Sequence, residues 1–117
     1  MEARFIRFGE IEVNGVRYGY DVVVDGGKLR KRQKKPSKPF RDQFGHTPLS
    51  AAEDIPWEGR RLIVGAGVNG SLPVMPEVYR EAERRGVEIV TVPLDKALEL
   101  LEAAKDEDAF AVLHVTC

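Results

Sequence analysis

Two short stretches of the chain carry residue types that could do chemistry. The first is His114-Val115-Thr116-Cys117, whose H-x-x-C spacing suits a Cys–His nucleophile pair or two ligands of a metal ion. In an extended strand, residues three apart point to opposite faces, so the pair diverges unless the chain turns after Val115. A thiolate nucleophile also needs an electropositive, partly exposed setting. The plainer reading is a histidine satisfied by backbone at the end of a central strand, beside a buried or frayed thiol. The second stretch is Gly45-His46-Thr47, where a loop histidine could reach a neighbouring strand edge or simply form a hydrogen bond. With two histidines and one cysteine in the chain, an all-Cys/His zinc site would need carboxylates or a second chain, and no metal is expected. Asp21, Asp25 and Asp42 show no spacing that pairs carboxylates for acid–base work. No G-x-S-x-G, Walker or H-E-x-x-H pattern occurs. His114, His46 and Cys117 are the catalytic candidates, and no catalytic constellation is assembled around them.

A glycine-rich turn and a basic block carry a second class of chemistry, that of binding. Gly65-Ala66-Gly67-Val68-Asn69-Gly70 formally matches G-x-G-x-x-G after a strand. A dinucleotide site requires the helix to open within the motif, so that its N–H groups meet the pyrophosphate. Here five residues including Pro73 intervene, so the glycines are read as bending the chain at the carboxyl edge of a sheet, and no cofactor is expected. That edge is where open α/β sheets place ligands, so a small-molecule or anion pocket at the turn, formed by Gly65, Gly67, Asn69 and Gly70, is the alternative. Residues 28–41 hold eight Lys/Arg and no acid, a charge of +8. The rest of the chain carries ten Lys/Arg against nineteen Asp/Glu, a charge of −9. Lys28, Arg30, Arg32, Lys34 and Lys35 are read as a basic surface, solvated or facing an acidic partner.

The elements that must position these residues fall into two halves. Phe5 to Phe8, Ile11 to Val13 and Val16 to Tyr20 read as strands, with Asn14-Gly15 as the hairpin turn. Tyr20 to Val24 continues as strand, Asp25-Gly26-Gly27 turns, and the run from Leu29 is polar on both faces, hence an edge. Residues 36–56, with four prolines, form a long connection. Leu62 to Val64 is an apolar strand. Pro76 to Arg85 is a helix whose stripe is Met75, Val78, Tyr79 and Ala82, ended by Gly86. Val87 to Val92 is the next strand. After Pro93, Asp95 is the expected N-cap of a second helix with an inner stripe of Ala97, Leu98, Leu101 and Ala104. Ala109 to Val115 is a strand buried on both faces. This order predicts an α/β fold, three layers in a single domain over residues 1–117: a central mixed, mainly parallel sheet, flanking helices and an N-terminal β-hairpin layer.

The chain has 117 residues, 43% hydrophobic and 32% charged, enough for one core and not two. No apolar run approaches a membrane span, the first residues lack a secretory core, and one cysteine permits no internal disulfide. A cytoplasmic location without membrane contact is the expectation.

Taken in order, NG…Y…DVVV, a basic strand, GH, LIVGAGVNGSL…PE, RRGVEIV, VP…AL and LHVTC resemble the adipogenesis-associated Mth-domain family. The resemblance runs from about Phe5 to Cys117. That family of small proteins occurs in archaea, bacteria and eukaryotes and includes a mitochondrial complex I assembly factor. The resemblance implies the same layered α/β domain, and assembly or regulatory roles rather than a demonstrated reaction. It carries Gly65, Gly67, Gly70, Pro93 and His114 over as recurrent surface positions. Ala66 and Leu94 depart from the threonines usual in the family, which removes hydroxyls that could bind a ligand or cap the helix.

The function favoured by sequence is therefore a non-enzymatic domain, monomer or homodimer, that binds a protein partner through its basic edge. The alternative is a small-molecule or enzymatic pocket at the Gly65–Gly70 turn with His114 and His46 as acid–base groups. Third comes nucleic-acid binding through residues 28–41, which lack the interleaved aromatics such surfaces use.

Overall fold

Asn14 and Gly15 both take positive φ, 50° and 81°, as a two-residue hairpin turn requires. They join β2 (Glu10–Val13) to β3 (Val16–Tyr18), and β1 (Ala3–Arg7) pairs with the other side of β2 to complete a three-stranded antiparallel sheet. Alternation along β2 sends Ile11 and Val13 into the core and leaves Glu12 between Arg4 and Arg17 on its neighbouring strands. The computed structural model describes all of residues 1–117.

After Tyr20 the chain leaves that sheet for a second one. Gly26 and Gly27, at φ 61° and 86°, join β4 (Val22–Asp25) to β5 (Lys28–Lys31) in another tight hairpin. β6 (Arg61–Ala66), β7 (Glu88–Val92) and β8 (Phe110–His114) complete a five-stranded sheet in the order β5-β4-β8-β6-β7. β8 pairs parallel to β6 and β6 parallel to β7, whereas β4 is antiparallel to both β8 and β5. The sheet is thus mixed but not mainly parallel as expected: the β4–β5 hairpin adds two antiparallel pairings to the two parallel ones, and β5 is an edge as its polar faces predict.

Period-two alternation divides the core between the two faces of this sheet. Val22, Val24, Ile63, Ala111 and Leu113 pack with Ala3, Ile11 and Val13 and with Leu94, Ala97, Leu98 and Leu101 of α3 (Leu94–Glu102). Val23, Leu62, Val64, Ala66 and Val112 pack with Val78 of α2 (Pro76–Arg85) and with Leu49, Ile55 and Leu72. A β-carbon at Gly65 would lie 3.1 Å from both the Ala97 side chain and Leu113, so a bare residue there lets α3 approach the sheet. No helix is long and apolar enough to cross a membrane.

Three local expectations need correction. Tyr79 does not join the buried stripe of α2; it is exposed, and its hydroxyl meets Thr91 Oγ1 at 2.9 Å. Asp95 is not the N-cap of α3, a place held by Pro93; it lies inside the first turn, where Oδ1 accepts the Lys96 amide at 2.8 Å. Residues 36–56 are not a plain connection. They contain a 3₁₀ turn (Lys35–Phe40) and a one-turn α1 (Arg41–Phe44), and Leu49 bridges Val74. Pro36 and Pro39 suit a 3₁₀ turn, which has no 3.6-residue periodicity to betray it in sequence.

Candidate functional site

Sequence places Arg32 on an exposed basic surface; the structure buries it to 4% exposure. The reason is a set of acceptors that the long connection brings over the end of β5. Arg32 Nε and Nη2 each donate to a Glu53 carboxylate oxygen at 2.8 Å, side-on and bidentate. Nη2 also donates to the Pro48 carbonyl at 3.0 Å, and Nη1 to Asp21 Oδ2 at 2.9 Å. Glu53 in turn accepts the Ser37 hydroxyl, which lies 2.7 Å from the Ser50 hydroxyl, both serines being buried. Burial alone would lower the Arg32 pKa, but the hydrogen bond and charge of Glu53, with the charge of Asp21, outweigh it and raise the pKa. Arg30 is also engaged within the chain, donating to the Asp54 carboxylate at 3.3 Å and its carbonyl at 2.9 Å.

Asp21 links this network to the end of β8. Its Oδ1 accepts the Val115 amide at 3.0 Å, and Oδ2 accepts Arg32 and lies 2.8 Å from His114 Nδ1. Burial pushes the Asp21 carboxyl up, but the His114 hydrogen bond and charge, the Val115 amide and Arg32 together hold it below its ordinary value of 3.8. On the other side of the ring, His114 Nε2 lies 3.3 Å from Thr116 Oγ1. Sequence shows no partner for Asp21, because the residues that meet it lie 11, 93 and 94 positions away along the chain. Only folding brings them together.

Arg32, His114 and Thr116 form one wall of a cleft of about 360 Å³, with Asp21 and Glu53 behind them and outside its lining. Its lining draws on Arg32 and Lys34, on Lys38 and Arg41 of the two short helical turns, and on His46 and Thr47. Ser71 and Leu72 follow the glycine turn, and His114, Thr116 and Cys117 follow β8. The three catalytic candidates His114, His46 and Cys117 therefore share one cavity with Lys34 of the basic block. No acidic side chain and no Phe, Tyr or Trp lines it. Lys38, Arg41, Thr47, Ser71 and Thr116 are lining residues that sequence reasoning did not single out. Lys38 and Arg41 lay inside the basic block, and the 3₁₀ turn that carries the chain away from β5 leaves no periodicity in the sequence to set them apart. Lys28 and Lys31 of the edge strand, and Lys35 at the start of the 3₁₀ turn, are exposed and lie outside the cleft.

The glycine turn itself lies outside this cleft. Gly65, Gly67, Asn69, Gly70 and Pro93 do not line the cleft. The amides of this turn are spent on the chain: Val68 N–H donates to the Thr116 carbonyl at 2.7 Å, and Asn69 and Ser71 donate to the Cys117 carbonyl at 3.1 Å each. Gly67 has φ 96°, and a β-carbon there would fall 2.2 Å from the Cys117 carbonyl carbon and 2.8 Å from the His114 ring. The glycines make a socket for residues 114–117, and that socket sets the imidazole against the cleft. Two residues apart, His114 and Thr116 meet on one side of the chain, and the half-buried Cys117 lines the same cavity. No group of three or more His, Cys, Asp or Glu side chains is arranged to hold a metal ion.

No protein-family model matches the chain, and no curated protein matches it. Among solved structures, it is similar over its whole length to a conserved hypothetical protein, PH1505, from Pyrococcus horikoshii OT3. That similarity has 28% identity, full coverage of both chains and a TM-score of 0.76. It also shares its fold with a structure described as MT938, at 22% identity and a TM-score of 0.52, over 98% of this chain and 97% of that one. Neither description names an activity. What the likeness shows is the mixed α/β single-domain architecture, with its two sheets and three helices.

Proposed function

We propose that this protein binds a small anionic molecule, one bearing a carboxylate or phosphate group, in the cleft beside His114. One observation carries the reading. Lys34, Lys38, Arg41 and His46 line a single cavity in which no acidic side chain takes part. Cationic groups gathered in a concavity with low-dielectric walls concentrate and orient anions more strongly than the same charges on an open face. Neutralising partners are supplied to Arg32, by Glu53 and Asp21, but no ion pair engages Lys34, Lys38 or Arg41. The cavity volume lies in the range of sites for small metabolites.

The protein-partner reading favoured by sequence rests on the basic surface of Lys28, Arg30, Arg32, Lys34 and Lys35, of which Lys28, Lys34 and Lys35 are exposed. It gives no reason for cations from β5 onward to converge on an imidazole, and the cleft reading does. Membership of the Mth-domain family, the three-layer description of the domain and a cytoplasmic location belong to the same proposal; the order of motifs along the whole chain supports the first.

Isothermal titration calorimetry with succinate and with inorganic phosphate tests the reading. Saturable one-to-one binding is expected, weakened at least about tenfold in Lys38→Glu/Arg41→Glu and reduced by added salt. Equal affinity in the charge-reversed protein, or heats that never saturate, would refute it.

A further inference from the structure

We propose that the cleft also performs acyl transfer from an anionic ester to water, with Thr116 as nucleophile and His114 as its general base. This rests on the anion-binding reading above, since the cationic lining would hold the ester. The polarity of the hydrogen bonds carries the assignment. Asp21 receives the Val115 amide at 3.0 Å and Arg32 Nη1 at 2.9 Å, so its carboxylate is fixed between donors. An ionised carboxylate only accepts, which requires His114 Nδ1, 2.8 Å from Oδ2, to carry a proton. In the neutral imidazole Nε2 is then the acceptor, and the Thr116 hydroxyl at 3.3 Å is the donor that faces it. The chain Thr116 O–H to Nε2, Nδ1–H to Asp21 has the direction of an activated nucleophile, a base and the group that orients the base. Such arrangements are recognised by roles and geometry, not by order in sequence. A separation of 3.3 Å is long for the first of these bonds, as is common in catalytic pairs before substrate binds.

Thr116 Oγ1 attacks the ester carbonyl carbon while its proton passes to His114 Nε2. The bond from that carbon to the alcohol oxygen breaks, and the alcohol departs with the proton from Nε2. Water then attacks the Thr116 ester and gives a proton to Nε2. The bond between Oγ1 and the acyl carbon breaks, Oγ1 recovers the proton, and the free acid leaves. Lys34, Lys38 and Arg41 provide countercharge to the substrate throughout, and Asp21 is a positioning residue that acts through the imidazole.

The test mixes the purified protein with para-nitrophenyl hydrogen succinate, follows release of para-nitrophenolate, and locates the acyl group by peptide mass spectrometry. A burst of one equivalent with succinyl on Thr116 is expected, at least about tenfold faster than with the uncharged para-nitrophenyl acetate. Thr116→Val and His114→Ala should slow acylation about 100-fold or more, and Thr116→Ser should retain it. Asp21→Asn should slow acylation and change its pH profile while leaving succinate affinity within about threefold; equal losses of binding and acylation would overturn the assigned polarity. Label on Cys117 or a lysine and not on Thr116, or undiminished acylation in Thr116→Val, would overturn the proposal. Succinate binding by calorimetry without acylation would overturn this step alone, and loss of both would overturn the anion-binding reading with it.

Discussion

Replacing Arg32 by methionine removes the one cation that separates two carboxylates under the cleft. Arg32 is 4% exposed and makes four side-chain hydrogen bonds, two to Glu53, one to Asp21 and one to the Pro48 carbonyl. Methionine approximates its length but supplies no donor. Glu53 would keep only the Ser37 hydroxyl, and Asp21 would keep Val115 and His114. Breaking a buried ion pair from one side typically costs ~3–5 kcal/mol, because it leaves a charge desolvated and unmatched. Against the ~5–15 kcal/mol by which small domains are stable, that is a large fraction. Urea unfolding measures it: with m of ~1–3 kcal/mol per molar, a loss of ~4 kcal/mol lowers the midpoint by roughly 1.3–4 M. Lys35→Gln, on the exposed part of the same block, serves as the control and should stay within about 0.5 kcal/mol of the native protein. A loss below about 1 kcal/mol for Arg32→Met, or equal effects of the two substitutions, would refute the burial of Arg32 and return the whole block to solvent.

Other consequences are open to direct measurement. Asp21 is depressed below its ordinary 3.8, so its stabilising contribution is complete above that pH and disappears as pH falls through the depressed folded value. Urea unfolding from neutral pH downward should therefore show a steeper acid loss in the native protein than in Asp21→Asn; parallel curves would contradict the linkage. Gly45 and Gly67 both have positive φ, but a β-carbon at Gly45 meets nothing within 4 Å whereas one at Gly67 overlaps Cys117 at 2.2 Å. Gly45→Ala should cost only the left-handed penalty, ~1–2 kcal/mol, and Gly67→Ala roughly 3 kcal/mol or more. Hydrogen exchange of Asn69 and Ser71 amides should accelerate in the second variant and not in the first. Asp95→Ala should cost about 0.5–1 kcal/mol by thermal unfolding, since Oδ1 satisfies a first-turn amide of α3.

Much of the scaffold was legible because it depends on local chemistry. Asn14-Gly15 and Gly26-Gly27 mark hairpins through the φ values they alone accept readily, and Pro76 and Gly86 bracket α2 through a missing donor and a left-handed cap. The polarity of β5 on both faces marks an edge for the same reason. The site was legible only in pieces. His114, His46 and Cys117 stand out as residue types, but Asp21 and Glu53 look like any surface acids, and their roles come from contacts 93 and 21 residues apart. The basic block misled for a related reason. A run of like charges reads as solvated, and sequence cannot show that one member, Arg32, turns inward to two carboxylates while its neighbours stay out. The glycine turn was rightly read as a bend, yet what it bends around, the segment carrying His114, is a tertiary fact.

Nuclear magnetic resonance of uniformly nitrogen-15-labelled protein, titrated with inorganic phosphate, bears most directly on the cationic cleft. Saturable shifts confined to amides of residues 32–47, 71–72 and 114–117 and to the imidazoles of His46 and His114 are expected. Shifts that do not saturate, or that centre on the exposed arginines of α2 at Arg80, Arg84 and Arg85, would contradict it.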